Sequence, residues 1–138
     1  MEYNVLGNTG IKVSKLCFGS LTIGPLQGNL QIEEGADIIC DAFNLGVNFI
    51  DTAEYYDTYL HINRALKKTN KENIVIATKS YAYTYSGMQK SIKKALKQLS
   101  VNHIDIFLLH EQESLLTFRG HIFCVFKTFI CITMAPES

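Results

Sequence analysis

Apolar positions along this chain follow two alternating rhythms. Short unbroken apolar runs at 48–51 (N-F-I-D), 73–79 (N-I-V-I-A-T-K) and 103–110 (H-I-D-I-F-L-L-H) predict strands. Between them, apolar residues recur at spacings of three and four and predict helices. Over 31–45 the stripe is Ile32, Ala36, Ile39, Cys40 and Phe43. Glu33 and Glu34 suit the N-terminal dipole of that helix, and Gly46 stands where a C-terminal cap would. A second helix is expected over 61–68, with Asn70 near its end. Over 86–99 the stripe is Met88, Ile92, Ala95, Leu96 and Leu99, and Ser86 and Gln89 have capping-box spacing. Lys90, Lys93, Lys94 and Lys97 form its opposite, solvated face. Ahead of these, 3–6 and 11–13 read as a hairpin turning at Gly7-Asn8-Thr9-Gly10. A short strand at 15–18 closes on Gly19-Ser20, and a loop at 21–29 carries Gly24, Pro25 and Gly28.

Strand and helix therefore alternate, and the strands are continuous apolar runs, as in a parallel sheet covered on both faces. The polar residues closing successive strands lie about thirty residues apart, the length of a βαβ unit. Periodicity alone leaves open whether the sheet closes into a barrel or stays open and doubly wound. The first strand lacks G-x-G-x-x-G, the usual dinucleotide fingerprint of the open sheet.

At 138 residues and 47% hydrophobic, the chain can bury one domain core and is not disordered. Thirteen basic residues balance thirteen acidic ones, so no net field favours nucleic acid or an anionic membrane. Cys17, Cys40, Cys124 and Cys131 show neither C-x-x-C nor Cys/His zinc spacing, so no metal site is expected. Cys40, on a helical stripe, reads as a packing residue. The start, M-E-Y-N-V-L-G-N-T-G, has no signal-peptide pattern. Reduced thiols and no export signal point to the cytoplasm.

Asp51, Lys79 and His110 each end an apolar strand. In parallel α/β folds, ligand and catalytic groups gather at the carboxyl ends of strands. Neighbouring strands lie about 4.8 Å apart, so such side chains can meet. A tyrosine on the loop after Asp51 can fold over the same mouth, and Tyr55, Tyr56 and Tyr59 all compete for that place. The set suits proton donation to a carbonyl. A free phenol titrates near pH 10, and an ammonium at Lys79 would stabilise the phenolate and lower that value. Asp51 would hold Lys79 charged, and His110 would orient the carbonyl oxygen. Each residue also has a plain structural reading: Asp51 with Thr52 as a helix cap, Lys79 snorkelling from a strand end, His110 as a satisfied core histidine.

Four stretches carry a resemblance to a known family: L-G-N-T-G-I-K-V-S-K-L-C-F-G-S, G-V-N-F-I-D-T-A-E-Y-Y, I-V-I-A-T-K, and S-I-K-K-A-L-K-Q-L-S-V-N-H-I-D-I-F-L-L-H. Between about residues 4 and 121 the chain resembles the aldo/keto reductases. The resemblance implies an α/β fold, a (β/α)8 barrel opened by an N-terminal hairpin, here as about four βα units. It implies NADPH-dependent reduction of an aldehyde or ketone, with a small carbonyl compound as substrate. The family's D-T-A-x-x-Y motif falls on Asp51 to Tyr56 and so selects Tyr56 as the acid. Its strand-ending lysine matches Lys79, and its histidine matches His110, which would bind substrate. Gly19-Ser20 is similar to the family's loop near the nicotinamide, and Gly19, Ser20 and Asp51 are the expected cofactor contacts.

A full barrel takes about 250 residues, and the family's later loops carry most cofactor contacts. The expectation is therefore residues 1–121 as the N-terminal half of a barrel and 122–138 as a non-family apolar tail. That tail, I-F-C-V-F-K-T-F-I-C-I-T-M-A-P-E-S, has no helical period and is short for a bilayer span. A shifted reading frame or early stop would explain it. A half-barrel exposes sheet edges, which favours self-association. The competing expectation is a catalytically inactive fragment that at most binds itself or a full-length relative. A sugar-phosphate-binding half-barrel is a third, without a glycine-rich phosphate loop to support it.

Overall fold

A computed structural model describes residues 1–69 and 73–111. The tail at 122–138 lies outside the described residues. A hairpin of β1 (Tyr3–Val5) and β2 (Lys12–Ser14) comes first. Its turn bends through Gly7 and Gly10 at φ +53° and +75°, a region that favours glycine. Then follow β3 (Phe18–Gly19), α1 (Ile32–Asn44), β4 (Phe49–Asp51), α2 (Tyr59–Lys68), β5 (Val75–Ser80), α3 (Tyr85–Leu99) and β6 (Ile106–Leu109). The last four strands form one parallel sheet in chain order, β3-β4-β5-β6. This is the strand–helix repeat of a (β/α)8 barrel, present in part.

The elements match the hydrophobic pattern and differ at their ends. The second helix starts at Tyr59 rather than 61, the strand expected at 73–79 is Val75–Ser80, and the one expected at 103–110 pairs over Ile106–Leu109. The strand expected at 15–18 pairs only over Phe18–Gly19. Two short 3-10 turns, Ser20–Ile23 and Glu54–Tyr56, follow β3 and β4, where no periodic signal marked them. Thr84, not Ser86, caps α3: its hydroxyl accepts the Gly87 N–H at 3.1 Å. A backbone donor two or three residues on is what an N-cap serves, and Ser86 lies inside the first turn.

Alternation along each strand separates two packing layers. Ile50, Ile76 and Phe107 point outward and bury against Ile39, Phe43, Ile62, Ile92 and Leu99 of the helices. Val75, Ala77 and Ile106 point to the inner side, where Val13, Leu6 and Ile11 of the hairpin region pack on them. Asn48 fastens the hairpin to the sheet. Its side chain accepts from Ser14 N at 2.6 Å and donates to Lys12 O and Asn73 O at 3.0 and 3.2 Å. Tyr3 adds a 2.7 Å bond to the Gly46 carbonyl.

The helices α1 and α2 approach closely at Gly35. A Cβ there would sit 2.6 Å from His61 Cδ2 and 3.3 Å from Ile23 Cδ1. Cys40 packs on the same seam, its thiol 3.7 Å from the Ala65 carbonyl. Gly35→Ala should gain about 1 kcal/mol of helix propensity and lose about 2–3 kcal/mol to overpacking against the buried imidazole. The net expectation is a loss of about 1–2 kcal/mol, read as a lower urea midpoint at unchanged slope. An unchanged or higher midpoint would show that the seam has room.

Candidate active site

The carboxyl ends of the four parallel strands build one cluster. Gly19 pairs with Asp51 across β3 and β4, and Asp51 pairs with Ala77 of β5. Lys79 lies two residues beyond Ala77, on the same face of β5. Lys79 pairs with Leu108 of β6, and His110 lies two residues beyond that. From β4 onward, each step across the sheet thus climbs by one inward-facing position, the stagger that tilted barrel strands produce. Long side chains can then lean back toward Asp51.

Lys79 does so. Its Nζ donates to Asp51 Oδ1 and Oδ2, each at 2.7 Å, and to the Thr52 carbonyl at 2.8 Å. An ammonium has three protons, and all three are used. The Lys79 side chain is 15% exposed and that of Asp51 38%, so the cation is the more buried partner. The same Nζ lies 5.0 Å from the centroid of the Tyr56 ring, within cation–π range. His110 is buried and meets Tyr56 edge-on, with centroids 5.7 Å apart and planes at 79°. Asp51, Tyr56, Lys79 and His110 are therefore brought together.

The three tyrosines separate by environment. Tyr59 is buried, its hydroxyl 2.7 Å from Thr78 Oγ1. Burial pushes it up to about 12 against that hydrogen bond, with the Glu54 charge adding to the rise. Tyr55 is 62% exposed and touches Tyr81 edge-on. Tyr56 alone of the three contacts both Lys79 and His110.

Of the two residues expected beside a cofactor on β3, Gly19 lies open, with nothing within 4 Å of an added Cβ. Ser20 turns its hydroxyl inward, 2.8 Å from Thr58 Oγ1, which is in turn 2.9 Å from Thr52 Oγ1. Only the backbone of Ser20 is left to face a ligand. Gly24 folds the loop after β3 onto the Tyr56 turn: a Cβ there would be 2.7 Å from the Tyr56 carbonyl.

Sequence reasoning passed over three neighbours. Tyr81 stacks flat on His110, with centroids at 4.3 Å and planes at 18°. Cys17 stands near the ion pair; loss of water and the Asp51 charge push its thiol up to about 11, with the Lys79 charge opposing. Glu54 Oε2 accepts from Ser80 Oγ at 2.8 Å and Oε1 from Lys94 Nζ at 3.2 Å. Partial burial pushes the Glu54 carboxyl up, but hydrogen bonds from Ser80, Ser91 and Lys94 and the Lys94 charge outweigh it and hold it below its ordinary 4.5. Each of the three sits in a loop or on a strand end, where hydrophobic period carries no signal.

The model of the aldo/keto reductase family matches residues 15–131, a span that includes part of 122–138. The chain belongs to the aldo/keto reductase family. The L-galactose dehydrogenase of Arabidopsis thaliana is 31% identical over 124 residues, 82% of this chain and 39% of that protein. A probable aldo-keto reductase 1 of Glycine max is 32% identical over 125 residues, 79% of this chain and 36% of that one. A thermostable aldo-keto reductase solved with the inhibitor epalrestat superposes with TM-score 0.72 at 30% identity, covering 80% of this chain and 43% of that structure. The chain spans about two fifths of the length of the curated relatives it matches. Aldo/keto reductases are oxidoreductases that use nicotinamide dinucleotides. No helix among the described residues is long and apolar enough to cross a membrane.

Two expectations follow. Asp51→Ala strands a buried ammonium with one acceptor, whereas Lys79→Met leaves a carboxylate that water can reach. Asp51→Ala should therefore cost more, about 2 kcal/mol against about 0–1, in urea unfolding. The reverse order would mean that the anion, not the cation, is the more poorly solvated partner. For Glu54, a folded value below the unfolded one favours the native state at neutral pH, and this contribution fades as pH falls through the folded value. The melting-temperature advantage of the native chain over Glu54→Gln should be present at pH 7 and fade as pH falls below the ordinary carboxyl value of 4.5.

Proposed function

We propose that this chain carries the proton-donating part of a carbonyl reductase site, with Tyr56 as general acid toward an aldehyde or ketone. One observation carries the reading: an ammonium held by three acceptors lies against the Tyr56 ring, and buried His110 meets the same ring. A fixed cation beside the phenol favours the negative charge that grows on its oxygen as the proton leaves. Asp51 and the Thr52 carbonyl fix that cation in place, so it need not reorganise during the transfer. His110, held under Tyr81, orients the carbonyl oxygen.

The residues present fit a nicotinamide at this mouth. The donor set suits a carbonyl gaining a hydride and a proton, and Gly19 keeps the neighbouring strand end clear. NADPH, when bound, supplies the hydride, and the backbone at Gly19 and Ser20 together with Asp51 would border it. The alternative is a silent half-barrel that pairs with itself or a full-length relative through the sheet edges at β3 and β6, the outer strands among the described residues. Among the described residues, Cys17 and Cys40 are free thiols, which suit work in the reducing cytoplasm.

NADPH fluorescence titration with a carbonyl turnover assay separates the two readings. Saturable binding, with turnover cut at least about a hundredfold in Tyr56→Phe, is expected for the enzyme. Absence of both binding and turnover in a folded chain would favour the silent module.

A further inference from the structure

The turn that carries Tyr56 is held weakly by its own backbone. Within Glu54–Tyr56 the backbone bond is Tyr56 N–H to the Ala53 carbonyl at 3.1 Å, and Ala53 offers no side-chain cap. The chain then leaves through Asp57 in the left-handed region, at φ 54°. Buried hydroxyls anchor the segment at either end, Thr52 before the turn and Thr58 after it. Between those anchors, Tyr56 meets Lys79 and His110 on the mouth side, and Glu54, the first residue of the turn, supplies a hydrogen bond to the sheet on the other.

Glu54 reaches Ser80, the residue after Lys79 on β5. Neighbours on a strand point to opposite faces. Lys79 faces inward to Asp51, while Ser80 faces the helix layer, 2.9 Å from Ser91 Oγ of α3. Ser80 also accepts the Ala82 N–H at 3.1 Å, and Lys94 of α3 donates to the other Glu54 oxygen. The Asp51–Lys79 pair and the Glu54–Ser80 bond therefore join the same two pieces of chain, one on each face of the sheet. Without the second, the first residue of the turn loses its hold on β5 and α3, and the phenol over Lys79 is less restrained.

We propose that Glu54 is a positioning residue for Tyr56, clamping the turn onto Ser80 and α3 so that the phenol stays over Lys79 and beside His110. This rests on the reading of Tyr56 as the acid. Glu54 touches no reacting group; it acts by restricting where Tyr56 can be. Misplacing a reacting group by about 1 Å can cost a hundredfold in rate, and loosening one of two tethers should cost less.

The test uses the full chain with Glu54→Ala, Glu54→Gln and Ser80→Ala. Amide hydrogen exchange over 55–58 should quicken about tenfold in Glu54→Ala, while 75–78 in β5 and the α1 amides stay unchanged. For NADPH-dependent reduction of an aromatic aldehyde, kcat should fall about tenfold with KM within about twofold. Glu54→Gln keeps an amide oxygen to accept from Ser80 and should recover most of both losses. Should Glu54→Ala fail to fold, Ser80→Ala reads the same bond. Unchanged exchange at 55–58 in folded variants, or equal losses in Glu54→Ala and Glu54→Gln, overturns the clamp. A native chain without turnover, with exchange still quickened in Glu54→Ala, removes Tyr56 as a working acid and keeps the clamp.

Discussion

The geometry depends on one ammonium group having its three protons satisfied across two neighbouring strands. Lys79 is mostly out of water, and an unpaired charge there would be costly. Two acceptors come from the Asp51 carboxylate and one from the backbone just beyond it. That supply exists only while β4 and β5 hold the register Asp51↔Ala77. A slip by one residue would turn Lys79 into the helix layer and Ile76 out of it. The buried outer core of Ile50, Ile76 and Phe107 demands the same register. Asn48 does so too, since it binds the hairpin and the entry to β5 at once. The hydrophobic core and the charged site thus select one alignment.

Around this pair the polar groups are arranged by face. On the helix side, hydroxyls satisfy one another or a carboxylate: Ser20, Thr52 and Thr58 under β3 and β4, Ser80 and Ser91 with Glu54 under β5. On the mouth side, rings meet edge-on or flat, from Tyr55 through Tyr81 and His110 to Tyr56. The first set fixes backbone; the second places π-faces and edges against a cation and an imidazole. Groups fixed this way hold their orientation without a ligand, which is the preorganisation that the proposed proton transfer to a carbonyl would need.

Much of the frame was legible along the chain. Hydrophobic period located the three helices and the strands β4, β5 and β6, because burial of one face imposes it. Asp51, Lys79 and His110 stood out because a polar residue ending a buried run needs a partner. Less legible were features whose cause is local and three-dimensional. Thr84 outcompetes Ser86 as a cap through the path of the loop before α3. The inward turn of Ser20 depends on a threonine 38 residues away. Tyr81 and Glu54 gave no periodic signal, since their partners are brought to them by the crossing of strands.

By itself, then, the sequence determined the strand–helix order, the strand-end polar residues and the family motif spanning Asp51 to Tyr56. Those follow from neighbour-to-neighbour pattern and residue chemistry. Tertiary structure alone decided which tyrosine physically meets Lys79, by burying Tyr59 on Thr78 and leaving Tyr55 at the surface. It also decided that the turn bearing Tyr56 is tied through Glu54 to the strand bearing Lys79. The reason is register: contacts between residues about thirty apart exist only once parallel strands have aligned and staggered.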